Sequence, residues 1–538
     1  MKPFGALVCV ALSAALFTLP YHFGGLYPLG FIAFVPYFFS IRGKNQGQAF
    51  KYSMIFGGLF WAATGFWLNN VNTLGFLGVM VYLACYVGFF GYYAVYFLDP
   101  PAESVSAYII RNTQSVFFVP ALWVFLEYAR GFLLSGLPWS LLAYTQWKNL
   151  AFIQGADVVG AYGISFAVMA INVLVYRLLL IIFRKEPELI LIPGESELKK
   201  RYPWIIFMVL CVFLGMFYGY GTIILSHRNA FYAGKSPKAF VRVATIQGNI
   251  PQDQKWDVRI KYLIFEKYRR LTLMAANDQP DLIVWPETSF PGYLENEPIM
   301  AAQLRNLVRQ ARTGTLVGAP TMGSMEEGLR FYNSAIFYTA QGEEQKRYHK
   351  MHLVPFGEYV PLEPATSFIR NFFAIGRFTP GKEKTLFKLA SRSKPAIYTY
   401  GVLICYEDIF PLLVRDFAAE GADFLVNITN DAWFGKTSAP YQHAQASVFR
   451  AVENHMPVVR AGNTGLSCLI SSEGKIYASV KDIHGEEIMV SGHKTGNIII
   501  KRGKSFFTRF GDLFFFLNLA ILLYSIICRV RQGRYSRL

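Results

Sequence analysis

Charged residues are scarce in this 538-residue chain, at 16% against 53% hydrophobic residues. Soluble proteins carry about 25% charged residues, so the deficit argues against an ordinary soluble chain and points to a membrane protein. Cysteine is sparse too. Of the six, Cys9, Cys85 and Cys211 lie in apolar runs and Cys528 near the end, which leaves Cys405 and Cys468 in more polar sequence. They form no CxxC pair and no metal-ligand spacing, so no zinc site is read. A Cys405–Cys468 disulfide would need an oxidising compartment. His349 and His352 lack a surrounding set of acidic or thiol ligands, and no Gly-rich phosphate loop occurs. Neither a metal nor another cofactor is therefore expected. Acidic residues are the rarer sign, 35 against 52 Lys and Arg, for a net charge of +17. That charge fits nucleic acid, anionic lipid or the cytoplasmic loops of a membrane protein, and its distribution must decide.

What replaces charge is a series of long apolar runs. Seven stretches long enough to span a bilayer precede residue 227, at roughly 4–20, 23–40, 50–69, 74–98, 115–135, 158–183 and 203–225, and an eighth follows at roughly 512–528. Lys2 gives the first the look of a signal peptide, but further spans follow at once and it reads as retained. Basic residues cluster after alternate spans: Arg42, Lys44 and Lys51 after the second, Arg111 after the fourth, Arg184, Lys185, Lys199, Lys200 and Arg201 after the sixth. Arg529, Arg531, Arg534 and Arg537 follow the eighth, and the other loops are nearly bare apart from Lys148. Such residues stay on the cytoplasmic side, so both termini are expected there and the region from about 227 to 511 outside. Topology then accounts for much of the positive charge. With no nucleic-acid-binding motif in view, no nucleic-acid partner is expected. The expected division is a transmembrane domain at 1–226 with seven spans, an extracytoplasmic domain at 227–511, and a last span with a basic tail at 512–538.

The outer region has a different texture. Short β-rich runs, VRVATIQGNI (241–250), DLIVWPE (281–287), TLVGAP (315–320), YTYGVLICYE (398–407) and ADFLVNITN (422–430), alternate with helical patterns such as 257–276 and 298–312. That alternation predicts a layered α/β domain. Three stretches there end an apolar strand or turn on a reactive residue: WPETSFP with Glu287, YHKMHLVPFGEYVP with Lys350 and Glu358, and GVLICYEDIFP with Cys405. A strand-end thiol followed by polar residues suits a nucleophile, because the strand fixes it and the turn exposes it. Taken singly, each reads better as an ordinary residue: a surface carboxylate, a solvated turn lysine or a core cysteine.

Together, in this order and context, the three stretches resemble the nitrilase (carbon–nitrogen hydrolase) superfamily. The whole chain resembles the apolipoprotein N-acyltransferase family, through LEYARGFLLSGLPW (126–139), QGNIPQDQKW (247–256), NITNDAWFG (427–435) and the flanking spans. The resemblance implies an αββα sandwich on a multi-pass helical membrane domain. It implies Glu287 as general base, Lys350 as oxyanion stabiliser, Cys405 as acylated nucleophile and Glu358 beside the lysine. Tyr406, Glu407 and Asn333 are supporting candidates, and Trp256 matches a tryptophan associated with substrate access. It further implies that an acyl chain passes from phospholipid, with phosphatidylethanolamine as donor, through a Cys405 thioester to the N-terminal amine of a diacylglyceryl apolipoprotein. The site would face the periplasm from the inner membrane, in a protein plausibly monomeric. A membrane-tethered amidase and a non-enzymatic lipoprotein-binding protein are the rival readings.

Three features remain. FIRNFFAIGRF (368–378) reads as a lid whose Phe372 and Phe373 meet acyl chains and whose Arg370 and Arg377 meet phosphates, or as a plain packed helix. Lys501, Arg502, Lys504 and Arg509 read as interfacial anchors. Glu127 and Arg130, three apart within a span, read first as a structural ion pair and second as a lipid headgroup holder.

Overall fold

The computed structural model describes residues 2–98, 105–183, 195–233, 239–325, 328–360, 377–392 and 395–535. The chain divides into two compact units, Met1–Gly234 with Phe510–Leu538, and Lys235–Arg509.

The first unit is helical. Among the described residues, six of its segments are long and apolar enough to cross a membrane: Pro3–His22, Gly24–Ile41, Thr73–Leu98, Tyr108–Arg130, Ala156–Ile182 and Lys200–Arg228. The other two expected spans are also helical, but Gln46–Thr64 opens on polar residues and the apolar part of the last, Leu513–Cys528, is short. Asn45 starts the former with a capping box, its side chain accepting from the Gln48 N–H at 2.9 Å while Gln48 accepts from the Asn45 N–H at 3.3 Å. Aromatic rings hold the bundle together. Phe17 stacks on Phe60 at 4.0 Å, and Trp123 meets Phe34 and Phe90 edge-on at 4.9 and 5.0 Å.

The second unit is built on two six-stranded sheets. Its strands are β1 (Phe240–Gln247), β2 (Leu282–Val284), β3 (Gly314–Met325), β4 (Gly328–Tyr338), β5 (Glu344–His349), β6 (Leu386–Ala390), β7 (Ile397–Ile404), β8 (Phe424–Thr429), β9 (Val458–Gly462), β10 (Cys468–Ile470), β11 (Ile476–Ser479) and β12 (Gly492–Ile499). The orders are β12-β1-β2-β3-β4-β5 and β11-β10-β9-β8-β7-β6. In each, three central strands run parallel (β1, β2, β3 and β7, β8, β9) and antiparallel partners flank them. The parallel strands are almost wholly buried, as expected of strands covered on both faces. Helices Lys261–Ala276 and Pro298–Ala311 pack Phe265, Leu271, Leu304 and Leu307 onto the outer face of the first sheet. Pro411–Ala419 and Ala439–Asn454 cover the second. Between the sheets, Phe337 of β4 lies edge-on to Phe387 and Tyr400. The layering is αββα. The runs read as strands and helices from the sequence all recur, with ends shifted by a few residues; the helix expected from 257 begins at Lys261.

Candidate active site

Two turns and a strand pair assemble the site. β2 ends at Val284 and Trp285-Pro286 leads straight to Glu287, which is buried. β3 passes close behind this turn because residue 318 is glycine: a Cβ there would lie 2.1 Å from the Pro286 carbonyl oxygen. Lys350 follows β5, whose pairing with β4 sets Ser334 opposite His349. That register brings Asn333 alongside Lys350, whose N–H donates to the Asn333 carbonyl at 2.8 Å. Cys405 is the first residue after β7, with φ of +57°, a left-handed backbone uncommon for a side chain of this kind and frequent at functional turns.

The side chains converge. Asn333 Nδ2 donates to Glu287 Oε1 at 2.7 Å and to Glu358 Oε1 at 2.9 Å. Lys350 Nζ donates to Glu358 at 3.0 Å and reaches Glu287 at 3.4 Å. Burial works against the Lys350 charge, but Glu358 and Glu287 outweigh it and hold the ammonium well above its ordinary range. Cys405 keeps part of its surface open. Its low-dielectric surroundings and the Glu287 carboxylate push the thiol up, and the Lys350 ammonium pulls the other way. A thiol so held needs a base to take its proton as it attacks, and an ammonium beside it stabilises the negative charge that follows.

The supporting candidates have distinct places. Glu407 is fully buried and accepts from the N–H groups of Met351 (2.7 Å), His352 (3.0 Å) and Ile404 (2.7 Å) and from the Tyr348 hydroxyl (3.0 Å). It thus ties the segment after Lys350 to the Cys405 turn, and burial pushes its carboxyl up to about 7 against those donors. Tyr406 donates to the Leu353 carbonyl and sets its ring 5.5 Å from Lys350 Nζ. Trp256 is 49% exposed. Phe372 and Phe373 lie outside the described residues, as does Arg370; the chain resumes at Arg377, and the Phe378 N–H donates to the Glu358 carbonyl at 3.1 Å. Cys405 and Cys468 are both free thiols. Among the described residues, no group of three or more His, Cys, Asp or Glu side chains is arranged to hold a metal.

A carbon–nitrogen hydrolase family model matches residues 242–491, and one for the apolipoprotein N-acyltransferase N-terminal domain matches residues 13–174. The apolipoprotein N-acyltransferase of Geobacter metallireducens is 35% identical over 511 residues, 94% of this chain and 91% of that protein. The chain belongs to the apolipoprotein N-acyltransferase family. It is accordingly an acyltransferase, with its carbon–nitrogen hydrolase part in the second unit. The Rickettsia bellii member is 29% identical over 448 residues, covering 81% of each chain. Among solved structures, a Nesterenkonia sp. AN1 amidase mutant in complex with butyramide is 19% identical, with a TM-score of 0.37, and covers 51% of this chain and 96% of that one.

Two parts of the site escaped the sequence reading. Lys255, beside Trp256 in QGNIPQDQKW, is 6% exposed and donates to the Glu287 carbonyl at 3.0 Å. Burial lowers its ammonium to about 8, against the pull of Glu287 and Cys405. Behind Cys405, Asn427 Nδ2 donates to the Cys405 carbonyl at 2.8 Å and its Oδ1 accepts from Arg460 at 3.0 Å. Arg460 in turn meets Asp408 at 2.9 Å and Asp431 at 3.5 Å, and His443 bridges the same two carboxylates at 2.9 and 3.1 Å. Burial opposes the charges on Asp408 and Asp431, yet His443 and Arg460 hold both low, and the aspartates hold His443 high. A lysine in an irregular loop carries no periodic signal, and a buried cluster drawn from five elements has no local one.

Proposed function

We propose that Cys405 is the nucleophile of a two-step acyl transfer from phospholipid to the N-terminal amine of a diacylglyceryl-cysteine apolipoprotein. Glu287 takes the thiol proton, and sulfur attacks the acyl ester carbonyl, with phosphatidylethanolamine as donor. Lys350 and the backbone N–H after Cys405 stabilise the tetrahedral oxyanion, an effect worth roughly 3 kcal/mol per donor in comparable sites. Collapse breaks the ester C–O bond, the lysophospholipid oxygen regains the proton from Glu287, and a thioester remains. The incoming amine then loses its proton to Glu287 as it attacks, and the departing sulfur takes that proton back. Glu358 and Asn333 keep Lys350 charged and aimed, and Glu407 and Tyr406 fix the nucleophile turn. Trp256 guards entry, with the 368–378 segment as a lid.

The observation that carries this reading is the buried Glu287–Asn333–Glu358–Lys350 cluster beside a partly open Cys405, in a chain that also holds six helices apolar enough to cross a membrane. A membrane anchor gives little to an enzyme with a soluble substrate. We further propose that Gln46–Thr64 and the C-terminal helix also cross, for eight spans, with boundaries at 226 and 511. The protein then lies in the inner membrane with both termini cytoplasmic and its catalytic domain periplasmic, and acts as a monomer. Two of the four basic residues read as anchors bind the second unit's own surface, Lys504 to the Ala419 carbonyl at 2.6 Å and Arg502 to Asp423 at 3.5 Å.

Intact-protein mass spectrometry tests the chemistry. Wild type incubated with phosphatidylethanolamine should gain one acyl chain, Cys405→Ala should gain none, and a diacylated lipopeptide should discharge the adduct onto its amine. Lipopeptide acylated without an adduct would rule out the thioester, and discharge to water alone would favour a hydrolase.

A further inference from the structure

The ion pair read from the spacing of Glu127 and Arg130 is not made. Glu127 is 4% exposed and its Oε1 accepts from the Leu142 N–H at 2.7 Å. Arg130 is 5% exposed and lies over the Trp61 ring, 4.9 Å from its centroid. No hydrogen bond from its guanidinium to a described residue is seen, and the charge it meets is that of Glu127, beyond contact distance. Both side chains line an open pocket walled by Trp61, Tyr86, Trp123 and Ser140. A ring face answers part of a guanidinium's charge but none of its N–H donors. Desolvating that fork without an acceptor is costly, and costlier among apolar helices than at a wet surface.

The missing acceptor has a definable chemistry. A guanidinium fork matches the oxygens of a phosphate, often in pairs. Glu127 beside it disfavours a ligand that is only negative and suits one that also carries an ammonium. Aromatic walls in a unit of apolar helices suit an amphiphile, and Phe132, Leu133 and Leu134, directly after the helix that ends at Arg130, are exposed apolar side chains on which its tails can lie. We propose that this cavity is a lipid headgroup site in the membrane unit, where Arg130 takes the phosphate and Glu127 the ammonium of an amine-bearing phospholipid. Binding there needs no chemistry at Cys405, so the proposal stands apart from the acyl-transfer reading.

Photo-crosslinking tests it. Full-length protein carrying Cys405→Ala is placed in nanodiscs with phosphatidylethanolamine bearing a diazirine near its glycerol, irradiated, and mapped by peptide mass spectrometry. Crosslinks should fall in peptides holding Trp61, Tyr86 or Trp123–Arg130, and Arg130→Gln should reduce them at least about tenfold, the order expected for a lost charge-assisted hydrogen bond. Arg130→Lys keeps the buried charge and the fold but lacks the fork, and should also reduce them. Glu127→Gln should let phosphatidylglycerol compete as well as phosphatidylethanolamine. Crosslinks that Arg130→Lys and Arg130→Gln leave unchanged would overturn the proposal. So would competition by inorganic phosphate alone, which would make this an ion site, or crosslinks confined to the second unit.

Discussion

Buried charge is handled differently in the two units. In the catalytic unit Lys350 sits between two carboxylates, Arg460 between Asp408 and Asp431, and Arg450 against Glu453 at 2.9 Å. In the membrane unit Arg177 donates to the Ser115 hydroxyl at 3.0 Å, Asp157 accepts from Tyr220 at 2.9 Å, Asp512 accepts from Tyr128 at 2.6 Å, and Arg130 faces a ring. Close ion pairs mark the first set of contacts; hydroxyls and an aromatic ring take part in the second. A close-packed sandwich brings distant strands together and can converge opposite charges on one point. A helix bundle offers few such convergences, and a second charge in an apolar surround adds its own desolvation cost.

The largest effect that sharpens this contrast is expected at Lys350. Lys350→Met leaves Glu287 and Glu358 facing each other through Asn333 with no cation. Activity should fall roughly 10³-fold, as for loss of an oxyanion donor, and stability by about 3–5 kcal/mol, as for a broken buried pair. Thermal melting of the two proteins checks the cost. A deficit below about 1 kcal/mol would mean that the pair does not outweigh its own desolvation.

Arg460→Met and Arg177→Met compare the units directly. The first strands Asp408 and Asp431 and should cost about 3–5 kcal/mol, while the second removes a cation that meets a hydroxyl and the Tyr176 ring and should change stability by less than about 1 kcal/mol. Equal costs would break the contrast. His443 adds a pH signature to the same cluster. Its folded value lies above the ordinary 6.5, so its contribution is complete below pH 6.5 and lost as pH rises through the raised value. Asp408 and Asp431, held below the ordinary 3.8, contribute above that pH and lose their contribution as pH falls through the lowered values. Denaturant melts across pH 4–10 should show the alkaline decline in wild type and a flatter limb in His443→Gln.

These networks also mark where sequence reading stops. A layered α/β domain was legible because its strands read as short apolar runs between helical patterns, while the αββα sandwich and the roles of Glu287, Lys350 and Cys405 came from the family resemblance of the stretches that hold them. Asn333 stood out only weakly, since its place beside Lys350 depends on the register of two antiparallel strands, a non-local fact. Glu127 and Arg130 show the opposite error. Their spacing favours a pair on an isolated helix, but the Leu142 N–H, from a turn further along the chain, takes the carboxylate instead.

The smallest expected effect on activity tests the exception within the catalytic unit. Lys255 is buried, yet its hydrogen bond goes to the Glu287 carbonyl, not to a carboxylate. That bond reaches the turn just before Thr288, which holds a left-handed φ of +44°, so in the proposed mechanism Lys255 positions Glu287. Its lowered value means that the folded state disfavours the charged form. The destabilisation is complete below about pH 8 and fades as pH rises towards the ordinary 10.5. Lys255→Met should therefore raise the melting stability of the chain at pH 7, by on the order of 1–3 kcal/mol once the lost hydrogen bond is offset, and the gain should vanish near pH 10. Turnover should fall roughly tenfold through kcat, since a loosened base loses transition-state positioning while donor binding persists. A stability gain with full activity would make Lys255 a buried cation without a task. A loss of stability would mean that it is answered after all, as the unit's other buried charges are.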